Sequence, residues 1–272
     1  MPEPVQIGSL RWSPGRFLLI AGPCVLESED AALTLARALA EIARARDLDL
    51  VFKASYDKAN RSSADAYRGP GLAAGLKILA RVRAETGVPV LADVHTPEEA
   101  RRAGEVLDGL QIPALLCRQT DLLQAAARTG KAVNLKKGQF LAPLDLGQAV
   151  AKIAAFNRNL ILTERGFTFG YNNLVADMRA LAILRRFGYP VVFDATHSVQ
   201  LPGGGVESGG EREFVPVLAR AAAGAGIDGL FLEVHPEPER SPSDRACIWP
   251  LAQLPALLDQ VLAVHRAARG AQ

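Results

Sequence analysis

The sequence predicts an α/β protein that folds as a closed (β/α)8 barrel, the TIM barrel architecture. Eight short apolar runs alternate along the chain with eight amphipathic helical patterns. The length of 272 residues suits one barrel of this kind. An open doubly wound sheet would place a glycine-rich turn after its first strand, and Ala21-Gly22-Pro23-Cys24 lacks that pattern. We therefore expect residues 1–272 to form a single barrel domain, with residues 1–16 as an N-terminal β-hairpin extension.

The predicted elements follow one another in strand–helix order. The strands are expected at Phe17–Gly22, Leu48–Ser55, Val88–Val94, Leu110–Leu116, Ala132–Lys136, Asn159–Glu164, Pro190–Thr196 and Gly229–His235. The helices are expected at 29–46, 71–86, 97–107, 120–129, 145–156, 174–187, 211–226 and 251–268. Local signals support these limits. Thr96 is a capping residue followed by a proline at the first helical position, and Gly87 lies just past a helix end, where a left-handed residue is needed.

Composition and charge argue against several classes of protein. The 31 basic and 29 acidic residues give a net charge of +2, without the clustered excess of a nucleic-acid-binding protein. The sequence contains no run of 18 apolar residues and no signal-peptide pattern, so we expect no membrane span and no secretion. The three cysteines are far apart and do not form a disulfide framework. These features favour a cytoplasmic protein.

Unusual polar residues gather at the predicted carboxyl ends of the strands, whereas the amino ends are bland. They are Cys24, Lys53, Ser55, Lys58, Asn60, Arg61, Ser62, Asp93, His95, Arg118, Lys136, Lys137, Glu164, Arg165, Asp194, His197, Glu233 and His235. Enzymes with this fold carry their active sites at the carboxyl ends of the strands. The pattern therefore predicts a functional site at that end of the barrel.

One part of the predicted site is cationic. Lys53 alternates with Val51 and Ser55 on one face of its strand, so its ammonium group should point into the barrel mouth. Lys58, Arg61, Lys136, Lys137 and Arg165 add further positive charge from neighbouring segments. Burying so many cations without anionic partners is costly, so we expect a bound phosphate or carboxylate there. This interpretation predicts that the substrates are phosphorylated.

A second part is a candidate metal centre. Cys24 ends the first strand, His197 follows the seventh and Glu233 lies in the eighth. Closure of the barrel makes these three strands neighbours, about 4.8 Å apart, so their side chains can converge. Asp244 in the following loop offers a fourth ligand, and His235 is an alternative ligand or a supporting partner. A thiolate, an imidazole and carboxylates suit Zn²⁺ or Fe²⁺ better than Mg²⁺.

Two further features leave alternatives open. The glycine-rich segment 199–211 follows His197 and is either a mobile lid over the site or plain flexible surface. Arg118 precedes a helix start and is a candidate for binding an anion across a subunit interface.

The motifs of this chain resemble the 3-deoxy-D-manno-octulosonate 8-phosphate synthase family. The resemblance is most specific at 53–63, which contains Lys-Ala-Asn-Arg-Ser-Ser, and it extends over essentially the whole chain. It continues through Ile20–Cys24, Cys117–Asp121, Lys136–Phe140, Glu164–Gly166, Phe169–Asn173, Asp194–Ser198 and Glu233–Pro236. The related heptulosonate 7-phosphate synthases look like Lys-Pro-Arg-Thr at the first motif, so Asn60-Arg61-Ser62 favours a pentose phosphate substrate.

The resemblance implies condensation of phosphoenolpyruvate with D-arabinose 5-phosphate in a homotetramer. The residues that would bind phosphoenolpyruvate or line its pocket are Lys53, Ser55, Lys58, Lys136, Gln139 and Arg165. The pentose would be bound by Asn60, Arg61 and Ser62, and Arg118 would reach its phosphate from a neighbouring subunit. Cys24 and Ser243-Asp244-Arg245 match the metal-dependent form of the family, so Cys24, His197, Glu233 and Asp244 would hold Zn²⁺, Fe²⁺ or Mn²⁺. We expect catalytic roles for Asp93, His197 and Lys136.

Three other functions remain to be tested. The heptulosonate 7-phosphate synthase is the nearest enzymatic alternative. A Schiff-base aldolase would use Lys136 or Lys53 as its amine. A non-catalytic sugar-phosphate sensor would bind without turnover.

Overall fold

Eight parallel strands form a closed barrel in which each strand pairs with the next and the eighth pairs with the first. The computed structural model describes residues 2–60, 63, 65–203 and 209–270. The barrel strands are β1 (Leu18–Gly22), β2 (Asp49–Lys53), β3 (Val90–Asp93), β4 (Gly109–Ile112), β5 (Ala132–Lys136), β6 (Leu160–Glu164), β7 (Val191–Asp194) and β8 (Gly229–His235). The predicted barrel is therefore confirmed.

Eight α-helices surround the barrel, one after each strand. They are α1 (Glu29–Arg44), α2 (Leu72–Thr86), α3 (Pro97–Gly104), α4 (Thr120–Arg128), α5 (Leu146–Ala154), α6 (Arg179–Arg185), α7 (Val215–Gly224) and α8 (Leu254–Gly270). The capping signal before α3 works as expected, because Thr96 Oγ1 accepts a hydrogen bond from Glu99 N at 3.1 Å. Within the described ranges, none of these helices is long and apolar enough to cross a membrane.

The N-terminal hairpin closes the amino end of the barrel. Its strands, Val5–Ile7 and Leu10–Trp12, are antiparallel. Val5, Ile7 and Trp12 are buried against inward-facing side chains of the barrel strands, among them Ile20 and Phe231. One end of the barrel is thus filled with apolar side chains, which leaves the opposite end for polar chemistry.

Several predicted elements have different limits in the structure, and the fourth strand and the sixth helix show the reasons. The fourth strand was expected at Leu110–Leu116, but it ends at Ile112 and a 3-10 turn follows at Ala114–Leu116. Pro113 ends this strand because it has no N–H for the ladder. The sixth helix was expected from residue 174 but begins at Arg179, since Leu174–Val175 pairs with Phe167–Thr168 instead.

His265 of α8 provides a test of how the outer layer packs. Both ring nitrogens are buried without a hydrogen-bond partner in the described structure, and the ring meets Phe17 edge-on at 4.9 Å. Burial, aided by the nearby Arg269, lowers the pKa of His265 from 6.5 to about 4. Protonation is therefore easier in the unfolded chain than in the folded protein.

We predict that this histidine destabilises the fold as the pH falls from about 6.5 to about 4, by up to about 3 kcal/mol. His265→Phe keeps the ring and removes that part of the pH dependence. Urea unfolding of both proteins across this range measures the difference. Lys77→Gln, at an exposed position of α2, is the control. An unchanged pH profile in His265→Phe would contradict the prediction.

Candidate active site

A cavity of about 430 Å³ opens at the carboxyl ends of the barrel strands. This size is typical of a pocket for a small molecule. The polar residues that line it include Lys53, Lys58, Asn60, Asp93, His95, Gln111, Lys136, Gln139, Arg165, His197, Gln200 and Asp244. Most were predicted from their positions at strand ends; Gln111 and Gln200 were not.

Lys53 lies at the centre of a buried polar network on the cavity floor. Its Nζ donates to Ser55 Oγ at 2.8 Å and lies 3.2 Å from Asp93 and 3.5 Å from Glu233. Lys58 Nζ lies 3.4 Å from the same oxygen of Glu233. Burial would raise the pKa of Asp93, but Lys53 and Lys58 hold it well below its usual range. Asp93 is thus ionised, so it can accept a proton but has none to donate.

Asp194, at the end of β7, fixes both Lys136 and His197. Its Oδ2 accepts a hydrogen bond from Lys136 Nζ and one from His197 Nδ1 at 2.8 Å, and its Oδ1 accepts from His197 N at 2.9 Å. Burial opposes ionisation of Asp194, but the neighbouring His197 and Lys136 hold its pKa well below the usual range. Because a carboxylate only accepts, the His197 proton lies on Nδ1 and Nε2 is left to bind a metal or a proton.

These ion pairs correct one expectation from the sequence. The cations were expected to lack anionic partners, but Lys53, Lys58 and Lys136 each have a carboxylate nearby. The reason is the barrel geometry, since acidic residues from other strands end at the same level. Lys137 is buried but does not line the cavity. Its Nζ donates to the carbonyl oxygens of 138, 141 and 166 and lies 3.6 Å from Glu164 Oε1.

Arg165 also lines the cavity, but no carboxylate of the described residues lies within 4 Å of its guanidinium group. In this it differs from Lys53, Lys58 and Lys136. Its Nη2 donates to His197 O at 3.2 Å and to Gln200 Oε1 at 2.9 Å. Its Nη1 and Nε have no hydrogen-bond partner in the described ranges. A buried guanidinium in this state is a site for an oxyanion.

Three potential metal ligands meet beside this pocket. Ligand atoms of Cys24, Glu233 and Asp244 lie within 4.8 Å of one another. Burial and the adjacent Glu233 raise the pKa of the Cys24 thiol well above its usual value, and Sγ donates to Asp244 Oδ2 at 3.2 Å. His197 Nε2 approaches Glu233 Oε2 to 3.6 Å but does not belong to the compact trio.

The chemistry of this cluster fits a divalent transition metal. Glu233 Oε2 is buried and has no hydrogen-bond partner among the described residues. An unpaired buried carboxylate oxygen is costly unless a cation completes its surroundings. With a sulfur, carboxylate oxygens and the Nε2 of His197 nearby, Zn²⁺ or Fe²⁺ suits the set. His235 lies apart, because its Nε2 is 3.0 Å from Glu27.

A chain of neutral side chains supports Asp93 across the barrel interior. Thr163 Oγ1 donates to Asn134 Oδ1 at 2.6 Å, and Asn134 Nδ2 donates to Gln111 Oε1 at 2.8 Å. Gln111 Nε2 in turn donates to Asp93. Sequence reasoning missed these residues because they lie inside apolar runs. Their inward parity on β4, β5 and β6, shared with Lys136, is the signal that could have found them.

The structure describes only some of the remaining predicted residues. Asn60 is exposed and lines the cavity, as does the partly buried Gln139. Arg118 is exposed and does not line the cavity. Arg61 and Ser62 lie outside the described residues, as does the middle of the 199–211 segment. The base of that segment forms a two-residue ladder, Gln200–Leu201 with Gly209–Gly210.

Comparison with known proteins agrees with the motif resemblance. The model of the DAHP synthetase I family matches residues 10–267. A 2-dehydro-3-deoxyphosphooctonate aldolase of Trichlorobacter lovleyi is 57% identical over 272 residues, covering 99% of this chain and 100% of the relative. Proteins with the same name from Geobacter metallireducens and Nitratidesulfovibrio vulgaris are each 58% identical, over 97% and 93% of this chain and 98% and 93% of their own lengths.

Asp194→Asn tests the buried ion pair. It leaves the ammonium of Lys136 without its carboxylate, so we expect the free energy of unfolding to fall by about 3–5 kcal/mol. Asp177→Asn is a matched control, because Asp177 pairs with Arg179 at an exposed position and should cost no more than about 1 kcal/mol. Chemical denaturation measures both. Equal losses in the two variants would contradict a special role for the buried pair.

Proposed function

Because the chain belongs to the DAHP synthetase I family, we infer that it is a transferase that condenses phosphoenolpyruvate with D-arabinose 5-phosphate and water. The products are 3-deoxy-D-manno-octulosonate 8-phosphate, a precursor of lipopolysaccharide, and inorganic phosphate. Its relatives carry the name of a deoxyphosphooctonate enzyme. The three carbons of phosphoenolpyruvate and the five of the pentose add up to that eight-carbon acid. A tetrose phosphate would give the seven-carbon product of a heptulosonate synthase.

The structural observation that carries this function is that the guanidinium group of Arg165 has no carboxylate partner among the described residues. Arg165 lines the same cavity as Lys136 and Gln139, and a phosphate or carboxylate bound there would supply the negative charge that its hydrogen-bond partners lack. Lys53, Ser55 and Lys58 complete the proposed phosphoenolpyruvate pocket. Asn60, Arg61 and Ser62 are the residues that we propose for arabinose 5-phosphate.

The reaction requires bond formation between C3 of phosphoenolpyruvate and C1 of the aldehyde. Water adds at C2, and the hydroxyl formed there becomes the C2 ketone as the C2–O bond to phosphate breaks. Of the two protons of the water, one goes to the aldehyde oxygen and the other leaves with the phosphate. Asp93, which is ionised, and His197, whose Nδ1 is held by Asp194, are the proton carriers we propose. Lys136 is fixed by the same carboxylate and places positive charge beside the reacting carbons.

We assign Cys24, His197, Glu233 and Asp244 as the residues that would hold a divalent metal. When bound, the metal supplies Lewis acidity that orients the aldehyde and the attacking water. Glu233 Oε2, which is buried and accepts no hydrogen bond from the described residues, supports this assignment. The Cys24 thiol must lose its proton on binding, so metal uptake releases a proton.

A homotetramer is the assembly that we propose, with Arg118 reaching the pentose phosphate of a neighbouring subunit. Large apolar side chains are exposed on the loops after β4, β5 and β6, namely Leu115, Phe140, Leu144, Phe169 and Tyr171. These loops are neighbours in the barrel, and exposed apolar surface of this kind favours an interface between subunits. The three free, buried cysteines are compatible with a cytoplasmic location.

One assay tests substrate and cofactor together. The purified protein is stripped with a chelator, and phosphate release from phosphoenolpyruvate is measured with arabinose 5-phosphate or erythrose 4-phosphate. We expect release with the pentose phosphate only, after addition of Zn²⁺, Fe²⁺ or Mn²⁺. Release with the tetrose phosphate would indicate a heptulosonate synthase. Full activity in chelator would contradict the metal, and an adduct trapped by borohydride would favour a Schiff-base aldolase.

Arg165→Ala should weaken phosphoenolpyruvate binding by about 10- to 100-fold, the effect of removing hydrogen bonds between charged groups. Equilibrium binding of phosphoenolpyruvate, measured by calorimetry, checks this expectation. Arg179→Ala removes an exposed arginine of α6 and is the matched control. Unchanged affinity in Arg165→Ala would refute its place in the pocket.

A further inference from the structure

We propose that Gln200 is a positioning residue that couples the oxyanion half of the site to the metal half. The inference rests on the proposed function. It assigns a role to a residue that belongs neither to the proposed anion-binding residues nor to the proposed metal ligands. Gln200 follows the 3-10 turn His197–Val199 at the base of the β7–α7 connection. Its side chain spans the two halves. Oε1 accepts from Arg165 Nη2 at 2.9 Å, and Nε2 donates to Asp244 Oδ1 at 2.8 Å.

The chemistry of the two partners fixes the orientation of this amide. A guanidinium can only donate hydrogen bonds and a carboxylate can only accept them. A flipped amide would set N–H against N–H at Arg165 and oxygen against oxygen at Asp244. Gln200 is therefore a directional bridge, because its amide has an accepting oxygen for Arg165 and a donating NH2 group for Asp244.

The bridge limits what Arg165 can do. Both hydrogens of its Nη2 are used, one by Gln200 and the other by the carbonyl oxygen of His197. The remaining N–H groups, on Nη1 and Nε, are thereby directed to the oxyanion. A guanidinium held in this way loses less conformational freedom when the anion binds.

The same bridge limits what Asp244 can do. Because Gln200 occupies Oδ1, the second oxygen, Oδ2, is turned towards Cys24 Sγ at 3.2 Å and Ser243 Oγ at 3.1 Å. Oδ2 is thus the oxygen directed to the cysteine side of the cluster. The side chain that holds the arginine therefore also selects the carboxylate oxygen offered to the metal.

Anion binding and metal binding are linked because both order the side chain of Gln200. An anion on Arg165 immobilises Gln200, and Gln200 then holds Asp244 in place before the metal arrives. Linkage requires the reverse effect to be equal, so the metal strengthens anion binding by the same factor. Couplings of this kind are on the order of 5- to 150-fold. Glu233 offers a second route, because Lys53 and Lys58 share it, so some coupling remains without Gln200.

The test compares coupling factors in the full-length protein. Cd²⁺ is titrated by its thiolate charge-transfer absorbance, with and without saturating phosphoenolpyruvate, and phosphoenolpyruvate is titrated with and without Cd²⁺. Gln200→Met and Gln200→Ala remove both hydrogen bonds, and Met keeps the length. Gln260→Met is the matched control, since Gln260 accepts from Arg220 on the surface at 2.7 Å.

We expect Gln200→Met and Gln200→Ala to lower the coupling factor at least threefold, while Gln260→Met leaves it unchanged. A merely structural role would weaken each ligand alone and leave the ratio as it is. If the unsubstituted protein binds both ligands and the Gln200 variants keep its coupling factor, the inference is wrong and the proposed function stands. If the unsubstituted protein binds no phosphoenolpyruvate or no Cd²⁺, the proposed function fails and the inference fails with it.

Discussion

Closure of the barrel between β7, β8 and β1 is the constraint on which the site depends. Parallel pairing places Asp194 beside Phe231 and Glu233 beside Gly22. On the other side of β1, the backbone of β2 lies so close that a Cβ on Gly22 would be 2.0 Å from the carbonyl oxygen of Lys53. A glycine is therefore needed at the end of β1, directly before the loop that carries Cys24. Without closure, the first and eighth strands would lie at opposite edges of a sheet.

The cavity floor is organised by compensation of buried charge. Lys53, Lys58 and Lys136 face Asp93, Asp194 and Glu233, so the ionised groups hold one another in place. Such pairs contribute little net stability, because desolvation offsets their attraction. Their value lies in geometry, since side chains held at fixed positions need not reorganise when substrates bind. Arg165 stands out against this background because its partners are neutral oxygen atoms.

The proposed metal ligands and the proposed anion-binding cations share partners rather than forming separate clusters. Glu233 contacts Lys53 and Lys58, and it also approaches His197. Asp194 holds Lys136 and His197 at once. A change at either half is thus transmitted through one or two side chains. This explains why roles assigned to single residues are best tested by paired measurements.

The sequence alone determined the fold and most of the site's members. Alternation of apolar runs and amphipathic helices specifies the barrel, and residues that follow strands must lie at its carboxyl end, so Cys24, Lys53, Asp93 and Arg165 could be placed there. Tertiary structure decided which charges meet, because ion pairs such as Lys136 with Asp194 join strands far apart in the chain. It also decided the hydrogen bonds of Gln111 and Gln200, since an amide gives no signal in sequence until its partners face it across the barrel.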